Sequence, residues 1–376
     1  MILKILHVIV GLNVGGAELM LKRLIESQLK CPEYEHSVIS LTDIGVIGPQ
    51  LQAQGISVSS VGMRNLLGIP KTLGILYRTV RQRRPDIVQT WMYHADLLGG
   101  LAARAAGVRN VIWGIRTTDL GKGGKRSTQL IRKLCAYLSS CLPAKIICAA
   151  EASRIAHVQI GYDSSRMEVI PNGFDLNRLA ATGEQRDAIR RSFSIAEGQI
   201  VIGSLGRFNP VKDQANFIAA TGVLAKRYPT LRFMMVGRGL EDDNQILKGL
   251  LDSTGCSDRY ILMGERNDVP ACLISMDIYC LHSRTEGFPN VLGEAMAVGV
   301  PCVATDVGDA AILLGGNGIV VPPQDSEALA EGLEQMVKLS QEARAKLAEH
   351  GKARIFDEFT LERASQRFRA LYDSLM

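Results

Sequence analysis

The chain has 376 residues, 47% of them hydrophobic, and a formal net charge of +5. That is apolar material for two cores, and the length favours two domains over one. No run of about 18 mainly apolar residues is present, which argues against a membrane-spanning helix; the eight cysteines, at 31, 135, 141, 148, 256, 272, 280 and 302, show no CxxC and no zinc spacing, so they read as reduced thiols in or near the core.

The charge is unevenly placed. Residues 1–170 hold 21 Lys and Arg against 11 Asp and Glu, a net of +10, while residues 171–376 hold 22 against 27, a net of −5. A basic half joined to an acidic half points to different partners, and an anionic membrane surface, nucleic acid or a phosphorylated acceptor suits the basic one. No interleaving of aromatic and basic residues supports nucleic acid.

Residues 4–10 (KILHVIV) have the pattern of a buried first strand. They do not read as a signal sequence, because the apolar stretch is short, lacks a small-residue cleavage site and runs into GLNVGGAE. The turn carrying Gly15 and Gly16 precedes apolar residues at helical spacing over 18–29. It either lets backbone N–H groups approach a phosphate or is a plain tight turn. It is not GxGxxG, and the acidic residue expected about 20 positions later is missing, so a dinucleotide oxidoreductase is disfavoured. Strand patterns at 36–41, 54–61 and 86–91 alternate with helical stretches such as 71–83. This βαβα order predicts a parallel doubly wound sheet whose ligands bind at the carboxyl ends of the strands. His94 and Asp96 follow such an end, ahead of a helix expected at 97–106. His94 there orients a donor or acceptor hydroxyl, caps the helix, or is a satisfied histidine near the surface. The strand at 111–115 ends in Arg116-Thr117-Thr118-Asp119, where Arg116 either binds an anionic acceptor or pairs with Asp119. Residues 122–133 (KGGKRSTQLIRK) are basic, and Leu130, Ile131, Leu134, Tyr137 and Leu138 trail through a helix. Two readings fit: a helix lying on a membrane surface, or an amphipathic helix with a solvated basic face. Another strand is expected at 145–149.

Residues 169–175 (VIPNGFD) end a strand in turn residues, and the polar run 176–198 marks a domain boundary. A second βαβ series restarts at 199–205, followed by Gly206-Arg207-Phe208-Asn209-Pro210-Val211-Lys212-Asp213 and a helix at 214–227. Arg207 and Lys212, at a strand end, are suited to stabilise the charge of a departing diphosphate. Strands at 231–236 and 260–263 end in loops at Gly237 and at Gly264 to Arg266 that are placed to edge a nucleotide base. Glu241-Asp242-Asp243 reads as dipole-favoured capping of a helix start rather than a metal site. The strand 277–281 then runs into HSRTEGFPNVLGEAMAVGVP, residues 282–301. Pro289 suits a helix start, 292–298 has helical composition, and Gly299 with Pro301 stops it. Glu286 therefore sits in the loop and Glu294 about one turn inside the helix, on the face of Asn290. Carboxylates repel phosphate but suit the hydroxyls on either side of one, a sugar and a ribose. Strands at 301–305 and 318–321 and helices at 326–338 and 341–359 close the series.

At this point the chain resembles a retaining glycosyltransferase of family 4, over essentially its full length. The carrying residues are Gly15-Gly16, PNGFD at 171–175, GRFNPVKD at 206–213, and the two glutamates Glu286 and Glu294 with the GFPN between them. The resemblance implies the GT-B fold, α/β with two Rossmann-like doubly wound domains facing a cleft: an acceptor domain at 1–175, a nucleotide-sugar domain at 176–355, and a terminal helix at 356–376 crossing back. It implies that Arg207 and Lys212 hold the donor diphosphate, with Gly206 and Gly237 lining the donor site. Glu286 would touch the hexose hydroxyls, and Glu294 the ribose. Gly287, Phe288, Pro289, Asn290, Val291 and Leu292 form the stretch offering backbone N–H groups to sugar and phosphate. Gly15 and Gly16 would cap the diphosphate, and Arg266 would lie beside the base, taken as uracil. Arg116 and Asp119 are acceptor candidates. Many relatives carry H-x-H at a strand end where this chain has Gln89-Thr90-Trp91, so His94 is expected to supply that function. The implied reaction needs no metal and no cofactor: a hexose moves with retention from a nucleotide-sugar to a saccharide, lipid-linked, at the cytoplasmic face of the membrane, in O-antigen, capsule or exopolysaccharide synthesis. The competing readings are a nucleotide-sugar epimerase or hydrolase of the same fold, and a non-catalytic donor-binding subunit.

Overall fold

The structure, a computed structural model, describes residues 2–29, 31–118 and 126–376; Asp119, Lys122 and Lys125 fall outside them. It divides into two compact units, Met1–Gly173 with Leu361–Met376, and Phe174–Thr360.

The first unit is a seven-stranded parallel sheet of β1 (Leu3–Ile9), β2 (Tyr34–Ser40), β3 (Ser57–Ser60), β4 (Ile87–Trp91), β5 (Asn110–Ile115), β6 (Lys145–Cys148) and β7 (Met167–Val169), ordered β3-β2-β1-β4-β5-β6-β7. Its connecting helices are α1 (Gly16–Gln28), α2 (Ile47–Ala53), α3 (Ile69–Arg83), α4 (Tyr93–Ala105), α5 (Arg126–Leu138) and α6 (Glu151–Gln159). Side chains alternate across the sheet, as the pleat requires. Leu6 and Val8 of β1 pack with Leu76, Val80, Ala102 and Ile131 of α3, α4 and α5. Leu3, Ile5 and Ile9 face the other side, with residues of α1 and α2.

The second unit holds six parallel strands: β8 (Ile200–Leu205), β9 (Leu231–Val236), β10 (Tyr260–Leu262), β11 (Ile278–Leu281), β12 (Cys302–Thr305) and β13 (Gly318–Val321), ordered β10-β9-β8-β11-β12-β13. Between them run α7 (Gly183–Ser192), α8 (Gln214–Arg227), α9 (Gln245–Asp252), α10 (Val269–Ile274), α11 (Asn290–Ala297), α12 (Ala310–Leu314), α13 (Ser326–Lys338) and α14 (Gln341–Glu358). The last helix, α15 (Leu361–Asp373), belongs to the first unit. There Phe368, Leu371 and Tyr372 complete the core face shared with α1. Fully burying a side chain such as Phe368 stabilises by about 1.5–3 kcal/mol.

Several boundaries differ from the sequence reading for local reasons. The polar run 176–198 contains α7, which a reciprocal cap between Thr182 and Gln185 starts. The chain passes between units at 173/174 and 360/361, rather than at 175/176 and 355/356. Phe174 and Phe359 tie the two passages together, the N–H of Phe174 donating to the Phe359 carbonyl at 2.8 Å. Helix α4 begins at Tyr93, so His94 and Asp96 lie in its first turn instead of ahead of it. Glu241-Asp242-Asp243 precede α9 without starting it, and Asn244 caps that helix by accepting from the Leu247 N–H at 3.2 Å. Among the described residues no helix is long and apolar enough to cross a membrane.

Candidate functional site

Each sheet reverses its strand order between two central strands, β1 and β4 in the first unit, β8 and β11 in the second. In doubly wound sheets ligands bind outside the carboxyl ends of such strands. Gly15, Gly16 and His94 follow β1 and β4, and Gly206 to Lys212 and Glu286 to Asn290 follow β8 and β11, while Arg116, Gly237 and Arg266 follow the neighbouring strands β5, β9 and β10.

In the second unit, β8 delivers Gly206 to Lys212 and β11 delivers His282 to Pro289. Lys212 and Glu286, 74 residues apart, meet in an ion pair of 2.5 Å. The same Glu286 oxygen accepts from the Ser283 hydroxyl at 2.6 Å. His282 is buried and its Nδ1 lies 2.6 Å from the Lys212 carbonyl oxygen; burial holds its pKa down at about 4, so the ring is neutral and Nδ1 donates. Asp213 adopts a left-handed backbone at the start of α8 and accepts from Arg284 at 2.8 Å. These contacts pin the end of the 206–213 loop to residues 282–286. Gln214 adds a further brace, donating to the Arg207 carbonyl at 2.9 Å. The Arg207 side chain stands exposed beside them.

A pocket of about 180 Å³ opens at the ends of β8 and β9, lined among others by Gly206, Arg207, Gly237, Arg238, Glu265 and Arg266. Gly237 has φ 141°, and a Cβ there would collide with the Gly206 carbonyl, so no side chain fits between these strand ends. Arg266 is held by Asp268 through two bonds of 2.8 and 2.6 Å, which raises the guanidinium pKa and lowers that of the carboxyl.

The GFPN stretch divides its labour. Phe288 is buried, its ring 5.9 Å from Phe174 and 5.9 Å from Phe359, so the side chain is a packing anchor. Leu292 is likewise core. Pro289 precedes α11, and Asn290, Val291 and Glu294 lie on that helix, each partly exposed. Gly287 is partly exposed and its carbonyl accepts from Asp309 N–H at 3.1 Å.

In the first unit, Gly15 precedes α1 with an extended backbone, and a Cβ on it would strike the Glu18 carboxylate; Gly16 is the first helical residue. His94, in the first turn of α4 just beyond β4, is half-buried, with a pKa lowered by burial. Met92, just before α4, has φ 72°, an uncommon conformation for a non-glycine residue, and such strain gathers at functional sites. Buried Asp96 holds this turn by accepting from Thr90 Oγ1 at 2.6 Å and from the Gly114 N–H at 3.3 Å. Burial pushes its pKa up to about 7. Gln89 and Trp91 do not join His94. Both are fully buried, and Trp91 packs in the core on the α15 side of the sheet. Arg116, at the end of β5, donates to Asn172 at 3.1 Å. Its Nε and Nη2 are buried without a hydrogen-bond partner, and burial lowers its pKa to about 10.

Ser283, His282, Asp213 and Asn172 were not singled out as site residues from the sequence. The first two stand in the same contiguous stretch as Glu286, which is the one signal that could have found them.

A family model described as Glycosyltransferase Family 4 matches residues 14–178, and one described as Glycosyl transferases group 1 matches residues 185–354. The chain is 28% identical over 240 residues to a UDP-Gal:alpha-D-GlcNAc-diphosphoundecaprenol alpha-1,3-galactosyltransferase of Escherichia coli, spanning 63% of this chain and 62% of that protein. It is 26% identical to the putative glycosyltransferase EpsF of Bacillus subtilis, over 81% of this chain and 79% of that one. Among solved structures, Anabaena Alr3699/HepE in complex with UDP superposes with a TM-score of 0.87 at 23% identity, covering 99% of this chain and 100% of that one. A glycosyltransferase from Rickettsia africae superposes with a TM-score of 0.86 at 18% identity, covering 100% and 98%. At these identities the solved structures speak to the fold, and they bear out the GT-B expectation.

Proposed function

We propose that this chain, which belongs to glycosyltransferase family 4 and has the GT-B fold, transfers a hexose from a UDP-sugar, with retention and without a metal, to a lipid-linked saccharide in bacterial surface-polysaccharide synthesis. The observation that carries this reading is the Lys212–Glu286 pair at the order reversal of the second sheet, beside Arg207 and the partly exposed start of α11. The UDP-Gal donor and diphosphoundecaprenol acceptor of the Escherichia coli relative, and the UDP bound by the Anabaena protein, support the donor class and the lipid-linked acceptor.

The chemistry follows from the groups present. Glu286 takes one of the three N–H donors of Lys212, which leaves two for diphosphate oxygens. Arg207 adds a second cation with a fork geometry. Charge that develops on the departing diphosphate meets fixed cations and the amino end of α11. Glu286, steadied by Ser283 and Lys212, orients hexose hydroxyls, and Glu294 takes the ribose. The acceptor hydroxyl approaches on the leaving-group side and passes its proton to a donor phosphate oxygen. The protein thus contributes orientation and electrostatics. On the acceptor side, neutral His94 orients the incoming hydroxyl, and Arg116 faces an anionic acceptor group. Gly15 and Gly16 approach the diphosphate.

A thermal-shift panel of UDP-, GDP-, ADP- and dTDP-sugars without metal tests the donor assignment, because binding to the folded state raises Tm by mass action. A shift with a UDP-sugar and not with the others is expected. A response to another base alone would replace the donor. Release of free sugar without any transfer would move the reading to a hydrolase.

A further inference from the structure

The C-terminal helix reaches the acceptor side of the first unit. The guanidinium carbon of Arg116 lies 4.7 Å from the centroid of the Trp91 ring and 5.8 Å from that of Phe368 on α15. The cation is thus lodged between aromatic faces from β4 and from α15, at distances where a ring attracts a positive charge. The stack is braced from below. Trp91 donates its Nε1–H to His7 Nδ1 at 3.3 Å, and His7 Nε2 lies 2.9 Å from His36 Nδ1. One helical turn beyond Phe368, the Tyr372 hydroxyl donates to Gln89 Oε1 at 2.5 Å. Gln89 and Trp91 of β4 therefore both serve this arrangement.

Arg116 has no carboxylate ion pair among the described residues; its one hydrogen bond goes to the neutral amide oxygen of Asn172. Arg116 is partly buried, and the carboxyl whose field it feels, Asp96, is pushed toward its neutral form by burial, so the cation is only partly compensated. The aromatic faces repay part, and an anion at the end of β5 would repay the rest.

We propose that Phe368 is a positioning residue for the acceptor: its ring holds the Arg116 guanidinium against Trp91, so that the charge is fixed where a phosphate group of the acceptor meets it. This rests on the reading of Arg116 as the acceptor's anion contact. Phe368 itself touches no substrate. It connects a helix that the chain supplies only after completing the whole second unit to the acceptor side of the first.

Intrinsic tryptophan emission provides the test, since the chain has two tryptophans, Trp91 and Trp113, both in the first unit. Inorganic pyrophosphate is titrated at fixed ionic strength while emission is followed. The wild type should respond saturably, and Arg116→Gln should abolish the response. Phe368→Leu, which keeps apolar bulk but removes the aromatic face, should raise the apparent Kd about fivefold, the scale of one cation–π contact. Phe368→Trp is read by the same titration in the Trp113→Phe background and should restore tight binding. In the Arg116→Gln background, Phe368→Leu should add nothing. A purely structural role would lower Tm in Phe368→Leu and leave its pyrophosphate Kd unchanged, and that result overturns the proposal. So does a wild type that gives no response. The donor reading is judged separately by the thermal-shift panel, so either can fail alone.

Discussion

At the scale of single residues, Lys212 and Glu286 divide two tasks that the sequence assigned to them separately. The ammonium is fixed by one carboxylate oxygen at 2.5 Å, and that oxygen also receives the Ser283 hydroxyl. On the proposed reading, Lys212→Ala removes the point charge that would face the leaving group, and it leaves Glu286 with Ser283 but without its ion pair. Transfer should fall at least 100-fold, on the scale of one lost transition-state donor; steady-state rates showing near-normal kcat would reject the assignment. Glu286→Gln keeps the shape and weakens the hold on Lys212 and, on the proposed reading, on the sugar. Its kcat should drop more than its affinity for free UDP measured by calorimetry, whereas Glu294→Ala, which on the proposed reading would lose the ribose contact, should show the reverse. Phe288 teaches a different lesson. Its neighbours Gly287 and Asn290 are partly exposed, but its own ring packs with Phe174 and Phe359. A motif residue can be required for where it puts its backbone.

At the scale of elements, strands and helices were legible because period and punctuation agree: β1, β8 and β11 are short apolar runs that end in glycine or turn residues. The loop carrying Glu286 and the helix carrying Glu294 could be read from one contiguous stretch. The pairing of Lys212 with Glu286 could be suspected only once β8 and β11 were known to be neighbours, which strand order decides and local sequence does not. The roles of Gln89 and Trp91 were hidden for the same reason, since their partners His7, Arg116 and Tyr372 lie far off in the chain. Helix α5 remains the element with an open face. Ile131, Cys135 and Ala136 are buried, while Leu130 is 69% and Tyr137 81% exposed, with Leu134 and Lys133 also exposed. Apolar and basic residues on one outward face suit an anionic bilayer surface. Flotation with phosphatidylglycerol vesicles should carry the wild type upward. Replacing Lys122, Lys125, Arg126, Arg132 and Lys133 with Gln should leave it at the bottom; unchanged flotation would show that α5 does not dock.

At the scale of the whole molecule, buried titratable groups set a pH window. Burial lowers the pKa of His7 well below the usual 6.5, and holds His36, His157 and His282 at about 4. The unfolded chain therefore binds more protons between pH 6.5 and about 4, and stability falls as pH drops through that range. Each such group contributes a slope of roughly 1.4 kcal/mol per pH unit where it is protonated only in the unfolded state. Asp96 opposes them: its pKa is raised from 3.8 to about 7, so the folded state holds an extra proton and gains stability as pH falls from 7 toward 3.8. Burial also lowers His94 and raises Glu18, so five histidines oppose two carboxyls and Tm should decrease between pH 6.5 and 4.5. Asp96→Asn keeps an acceptor for Thr90 and removes one opposing group, so its acid loss should be steeper than that of the wild type in urea titrations at each pH. An equal or shallower slope would mean that Asp96 is ionised in the folded protein at neutral pH.

The bond between Phe174 and Phe359 has a consequence for how the molecule is made. The second unit is one uninterrupted stretch of chain whose first and last residues are neighbours, so it can close on itself as soon as it has left the ribosome. The first unit cannot. Its sheet emerges early, yet the face that Phe368, Leu371 and Tyr372 cover stays open until the second unit has been synthesised in full. During that interval the nascent chain carries a complete second unit and a first unit with an uncovered apolar surface, and Arg116 has only one of its two aromatic walls. The first unit is thereby the last to have all of its core residues available.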